Sequence, residues 1–320
     1  MSTVEVLAGG VQCSVQDLGR AGFRAAGVPA GGAMDRFALA AANLLVGNTA
    51  EAAGLEILLG GLVLRFHAAV TICVTGADLG ARLDGDDVGM WAPFVAQAGQ
   101  MLHFTGRRSG IRAYLSVAGG IDVAPVLRSR STYLPGGWGG FRGRALEAGD
   151  KLPVGAGSHS PAPRRWLPPE NRPAYSGFPT LRSVAGPHIE HFPADTLEAF
   201  FAGVYRLEPA SDRMGYRLAG PALRHDRRET LASSGVLPGA VQVPASGSPI
   251  LLMADAQTTG GYPIIAVVIG ADLPLAAQLL PGDRLRFAPV TVEAAQRAAR
   301  ARQADLAALL EDEDVACAPV

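Results

Sequence analysis

From Leu251 to Pro274 the chain reads LLMADAQTTGGYPIIAVVIGADLP, two apolar runs around the polar segment Gln257-Thr258-Thr259-Gly260-Gly261-Tyr262-Pro263. Two strands joined as a hairpin need only a turn dipeptide such as Asn-Gly. This connection carries an amide, two hydroxyls, two glycines and a phenol, more chemistry than a turn requires. A second amide, Gln242, stands among apolar residues in Ser233–Pro244, SSGVLPGAVQVP. A buried amide must find partners or cost about 1 to 3 kcal/mol, so Gln242 and Gln257 are either structural bridges or readers of a ligand.

Two further polar groups stand out. Val15 to Asp35, VQDLGRAGFRAAGVPAGGAMD, spreads Asp17, Arg20, Arg24 and Asp35 through glycines and leads into a predicted helix. Glycines let backbone approach a ligand closely, and a helix N-terminus favours an anion; the alternative is a long loop packed over a barrel mouth. In Ser211–Leu218, SDRMGYRL, a strand would place Arg213 and Arg217 on one face, where two guanidinium groups could clamp a carboxylate or phosphate or merely solvate the strand.

Other chemistries are excluded or disfavoured by residue type. Lys151 is the only lysine, and no glycine cradle precedes it, so there is no P-loop. It does not lie between methionines, so no covalent biotin is expected on this chain. A Ser-Ser-Lys amidase triad lacks a suitable lysine as well. His188 and His191 in GPHIEHFP do not have the spacing of a zinc peptidase helix and read as structural, so no metal site is expected. No GxGxxG opens a helix after a strand. Cys13, Cys73 and Cys317 are few and far apart, which predicts buried thiols rather than disulfides. With 28 basic against 29 acidic residues, the net charge of −1 gives no reason to expect nucleic acid or an anionic membrane as a partner. The amino-terminal segment lacks the basic-then-apolar pattern of a signal peptide, and no apolar run is long enough to span a bilayer, so a cytoplasmic location is expected.

The elements that must position these groups are mostly short strands punctuated by glycine and proline, as in residues 61–67, 69–85, 101–106 and 112–120. A weak repeat, AGQMLHF (98–104), AGDKLPV (148–154) and PGDRLRF (281–287), sets Gly second in a turn and Leu fifth, pointing inward along the following strand. It predicts two barrel-like halves, residues 1–160 and residues 161–320, joined by the Pro/Gly/Ser-rich stretch 155–179. Helices are predicted at 34–46 with Gly47-Asn48 as its stop, at 194–202 with Gly203 as its stop, and at 291–310 before the acidic run 311–314.

Taken together, VQDLGRAGFRAAGVPAGGAMD, LEILLGG, GGIDVAPVLRSRST, GRALEAGDKL, SDRMGYRLAGP, GVLPGAVQVPASGSPI and DAQTTGGYPIIAVV resemble, in order and over about residues 4–287, the 5-oxoprolinase C-subunit family. That family is also called allophanate hydrolase subunit 2 or the biotin-dependent carboxyltransferase family, and it includes the antagonist of a sporulation kinase inhibitor. The resemblance implies a mainly β fold of cyclophilin-like β-barrel architecture in two halves with a few helices. It also implies two partners: a homologue of the 5-oxoprolinase B subunit, built on a related barrel, and the A subunit. The activity implied is ATP-dependent opening of 5-oxo-L-proline to L-glutamate, with ATP required by the hetero-oligomeric complex and no activity in this chain alone. Two alternatives stay open: the carboxyltransferase half of a biotin-dependent urea or amide carboxylase, and a regulatory protein that sequesters a kinase inhibitor.

On this resemblance, Gln257, Thr258, Thr259, Gly260, Gly261 and Tyr262, with Gln242, would line a barrel-end site shared with the partner barrel and read a small polar amide or lactam. Backbone N–H groups near Gly260 and Gly261 would meet an oxyanion or phosphate. Arg213, with Arg20 or Arg130, would supply fixed positive charge. Many members carry a basic residue directly after GGYP, where this chain has Ile264.

Overall fold

All three repeated turns start strands in the computed structural model, which describes residues 2–157, 166–225 and 231–310. Gly99, Gly149 and Gly282 have φ of 89°, 93° and 99°, left-handed backbone that a residue with a Cβ resists. The reversal they permit launches the strands Met101–Phe104, Lys151–Pro153 and Arg284–Pro289. The leucines in the fifth place, Leu102, Leu152 and Leu285, each have 0% of their surface exposed, as the repeat predicts.

The chain divides into two units, and not by a single cut near residue 160. The first comprises Met1–Gly19, Asp35–Pro173 and Ala301–Val320, the second Arg20–Met34 and Ala174–Arg300. The fold is mainly β in both, with four α-helices among the described residues.

In the first unit the strands form two open sheets rather than a closed barrel. Six strands run in the order 151–153, 3–9, 62–66, 101–104, 81–83 and 86–87, and five in the order 12–16, 54–58, 109–117, 70–78 and 93–96. Burial alternates along Leu62–Phe66 and Met101–Phe104, the sign of one covered face. Val70–Asp78 is buried everywhere except at Asp78, so both of its faces are covered. The helix Arg36–Leu45 packs on it, all but Arg36 being buried. Asp35 caps that helix by accepting the Ala38 N–H at 2.9 Å, and Gly47 ends it with an N–H to the Leu44 carbonyl. Cys13 and Cys73 are buried, and burial pushes both thiols far above their ordinary titration range. Cys317 and the acidic run 311–314 lie outside the described residues. In the described part of the expected linker Leu167 is buried, and its N–H bonds the Trp91 carbonyl at 3.0 Å.

The second unit contains a closed barrel of seven strands in the order 180–185, 264–268, 240–242, 250–252, 215–219, 205–207 and 284–289. The first and last of these pair in parallel and close the ring. Phe200, from the helix Ala194–Ala202, stacks on Phe287 with centroids 4.6 Å apart, and Tyr205 meets the same ring edge-on at 5.5 Å. A short helix, Leu273–Ala277, escapes sequence prediction because Pro274 masks it. The predicted terminal helix spans Val292–Ala307, and no helix among the described residues is long and apolar enough to cross a membrane.

Candidate functional site

The barrel order explains the polar segment after Gln257. Strands 250–252 and 264–268 are not neighbours, because 240–242 lies between them. Their connection must cross two inter-strand spacings, roughly 10 Å, which no two-residue hairpin turn can do. It crosses over the end of strand 240–242, where Gln242 sits. On the way Thr259–Gly260 pairs with Ser234–Gly235 as a two-stranded ribbon, and Val236 donates its N–H to the Thr258 carbonyl at 3.0 Å.

Beneath this crossing the two amides meet. Gln257 donates from Nε2 to Gln242 Oε1 at 3.3 Å, while Gln242 Nε2, also buried, has no hydrogen-bond partner. A Cβ on Gly260 would lie 2.6 Å from that Nε2, so any larger residue there would have to push the Gln242 side chain aside. The register slips by one residue here: Val241 faces Ala266 but Gln242 faces Ile264, which makes Ile265 the extra residue of a β-bulge. The bulge turns the Ile264 N–H off the ladder, and His188 Nδ1 accepts it at 3.2 Å. His188 thus has the structural role expected of it. The Ile264 side chain is buried with Val236, Ala240, Leu252 and Ala256.

A cleft of about 510 Å³ opens beside the crossing. Thr258 and Thr259 form one wall, Gly235, Val236 and Leu237 another, and Arg24, Ala25 and Gly27 a third. The third wall belongs to the glycine-rich loop 20–34, which three contacts fasten to the barrel. The Gly31 N–H bonds the Ala254 carbonyl at 3.1 Å, the Gly32 carbonyl accepts Arg213 Nη2 at 2.6 Å, and Met34 enters the barrel core. Three polar groups separated in sequence therefore share one cleft, and the fourth, through Arg213, holds one of them in place.

Arg213 does not act as the sequence suggests. Asp212 caps a turn by accepting the N–H groups of Met214 and Gly215, so the strand begins only at Gly215 and Arg213 precedes it. The two arginines do not share a strand face: Arg217 is exposed, whereas Arg213 is buried and grips Asp255 with Nε at 2.8 Å and Nη2 at 3.1 Å. Its charge is matched inside the protein.

The family described as "Carboxyltransferase domain, subdomain A and B" matches residues 26–289. The chain belongs to this carboxyltransferase-domain family. It is 42% identical over 300 residues to the C subunit of 5-oxoprolinase from Escherichia coli, covering 94% of this chain and 95% of that protein. It is 37% identical over 297 residues to the subunit of the same name from Haemophilus influenzae, covering 90% and 92%. The K. lactis urea amidolyase structure superposes on 99% of this chain with a TM-score of 0.91 and 31% identity, and the chain spans only 20% of that much longer protein.

In this carboxyltransferase-domain protein the remaining expected residues take distinct places. Thr258 is buried, Thr259 and Gly261 are exposed, and Tyr262 is 51% exposed at the end of the crossing. Arg20 is buried, and its backbone N–H bonds the Ala30 carbonyl at 2.7 Å. Arg130 belongs to the first unit: its guanidinium bonds the Val123 carbonyl at 2.8 Å and Asp122 at 3.0 Å, and Asp17 accepts its backbone N–H. Arg24, which the sequence shows among the charges of its loop without marking it for the site, is the charged residue of the cleft lining. The signal for it was the pair Gly22 and Gly27, both at positive φ, which flank the one-turn helix Arg24–Ala26.

Proposed function

We propose that the chain is the C subunit of an ATP-dependent 5-oxoprolinase, opening 5-oxo-L-proline to L-glutamate together with the A and B subunits and inactive alone. The observation that carries this reading is the end-to-end match with the E. coli protein, 42% identical over 95% of its length. The cleft suits a small substrate, and its polar groups suit a lactam. Gln257, next to the cleft-lining Thr258, spends its Nε2 on Gln242 Oε1, which leaves its own Oε1 as the acceptor proposed for a lactam N–H. Thr258 and Thr259, which line the cleft, would offer their hydroxyls to the lactam oxygen as negative charge develops on it, with the backbone N–H of the neighbouring Gly261 proposed as a further donor. Hydrolysis forms one C–O bond from water and breaks the ring C–N bond, leaving a carboxylate and an amine.

The nucleotide is assigned to the complex and not to this chain. A triphosphate calls for several cations or a glycine cradle with its lysine, whereas among the described residues lining this cleft Arg24 is the one cation and Lys151 sits in a strand of the first unit. The homologue of the B subunit is proposed to complete the site from its own barrel. The test is glutamate formation from 5-oxoproline by this chain mixed with its A and B partners and ATP, against each component alone. Glutamate from the full mixture only is the expected result. Its absence from an assembled complex refutes the reading. The superposition on urea amidolyase favours a second reading, the carboxyltransferase half of a biotin-dependent carboxylase; under it, carboxylation of urea would depend on a separate biotinylated carrier.

A further inference from the structure

We infer that Arg24 heads a carboxylate subsite in the cleft, so that the substrate held there is an amide or lactam bearing a carboxylate within reach of its carbonyl. The inference rests on the reading of this cleft as the lactam site and adds what holds the other end of the molecule. Arg24 is half-buried in the cleft wall. Other arginines of the protein have internal partners: Arg213 has Asp255, Arg182 has Asp272, and Arg144 has Asp150. Arg24 pairs with no carboxylate among the described residues. A guanidinium is planar and permanently charged, and its parallel N–H groups match the two oxygens of a carboxylate.

The backbone that carries this fork is fixed before a ligand arrives. Arg24 opens a single turn whose end is fixed by Gly27, at φ 79°, donating its N–H to the Arg24 carbonyl at 3.0 Å. The base of the loop is closed by the bond from Arg20 N–H to the Ala30 carbonyl, and its far end is tied by Gly31 and Gly32 to the barrel. Less ordering therefore remains to be done on binding. The wall beside it is apolar through Val236 and Leu237, which lowers the local dielectric and strengthens a charge-assisted bond. Thr258 and Thr259 line the same cleft and would take the amide end, so one small molecule would be gripped by a cation at one end and neutral polar groups at the other.

An anion at Arg24 has two sources, the carboxylate of the substrate or a phosphate from the nucleotide, and the commitment here is to the carboxylate. The test is steady-state kinetics of the complete three-protein complex with Arg24→Met and Arg24→Lys, varying 5-oxoproline and ATP separately. Arg24→Met is expected to raise KM for 5-oxoproline about 30-fold with kcat within about two-fold, the equivalent of about 2 kcal/mol at 1.4 kcal/mol per decade. Arg24→Lys keeps the charge but loses the fork and falls between. Both should unfold in urea at the wild-type midpoint, which separates a binding role from a structural one. An unchanged KM for 5-oxoproline in an active complex overturns the subsite and leaves the proposed function standing. A rise in KM for ATP alone reassigns the cation to phosphate and also overturns it. A wild-type complex that does not open 5-oxoproline refutes the proposed function, and the inference falls with it.

Discussion

Replacing Arg213 with methionine removes one half of an ion pair whose other half, Asp255, is 0% exposed. The carboxylate loses contacts of 2.8 and 3.1 Å, and the Gly32 carbonyl loses its 2.6 Å donor. Leaving one member of a buried pair uncompensated costs about 3 to 5 kcal/mol, most of it the penalty of an unpaired charge in a poorly solvated place. At about 3 °C per kcal/mol, the second unit should melt about 10 °C lower. The informative measurement is a double-mutant cycle by urea denaturation with Arg213→Met, Asp255→Leu and the combined variant. The combined variant buries no charge, so it should recover most of the loss, giving a coupling of at least about 2 kcal/mol. It still lacks the tie to Gly32, so its loop 20–34 should be less well held, and its KM in the reconstituted complex should stay raised although stability returns. Strict additivity of the two single variants, or a loss below about 1 kcal/mol for Arg213→Met, would refute the assignment of Arg213 as an internally matched anchor.

Other consequences can be checked with simpler assays. Gly260→Ala sets a Cβ 2.6 Å from Gln242 Nε2 and should displace that side chain, lowering turnover of the complex at least about ten-fold while leaving thermal stability nearly unchanged; wild-type turnover would show that the amide pair is not used. Gln242→Leu removes a buried donor that has no partner and should be neutral or stabilising to unfolding, yet inactive, because Gln257 loses its 3.3 Å acceptor; a large loss of stability would contradict the orphan assignment. Asp150 is held below the ordinary carboxyl range chiefly by its hydrogen bonds with Arg144, so it binds fewer protons folded than unfolded. Its stabilising contribution is present above about pH 4 and is lost as pH falls through its lowered folded value, so Arg144→Met should flatten the acid limb of the stability curve and leave its slope near neutrality unchanged. In a Cys317→Ser variant, Ellman's reagent at about pH 8 should find no thiol until the protein unfolds and then two, because Cys13 and Cys73 are buried with raised titration ranges.

How far the sequence could be read depended on the range of the interaction. The turn-Gly-Leu repeat is local, and it correctly put Leu102, Leu152 and Leu285 inside. The need of buried amides for partners was legible too, but not that Gln242 and Gln257 would serve one another, since that follows from which strands the crossing spans. Arg213 was misread because Asp212 was not recognised as the cap of a turn, and that turn ends the strand register assumed for Arg213 and Arg217. The partners of Arg213 lie 42 residues away at Asp255 and 181 away at Gly32, separations that no spacing rule reaches. The same long-range closure places loop 20–34 in the second unit and Arg24 in the cleft wall.

The placement of charge links these observations to function. Holding a loop with an arginine introduces a positive charge next to the site, and an unmatched one would attract any anion. Asp255 cancels that charge within the barrel, so the anchor is electrically silent beyond a few ångströms. Arg24 is then the charged group that the described residues present to the cleft, on a loop whose position is decided by a different arginine. Separating the anchoring cation from the reading cation lets each be altered alone: substitution of Arg24 should change which ligand is held and leave the fold intact, whereas substitution of Arg213 should weaken the fold and also, by releasing Gly32, loosen the loop that carries Arg24.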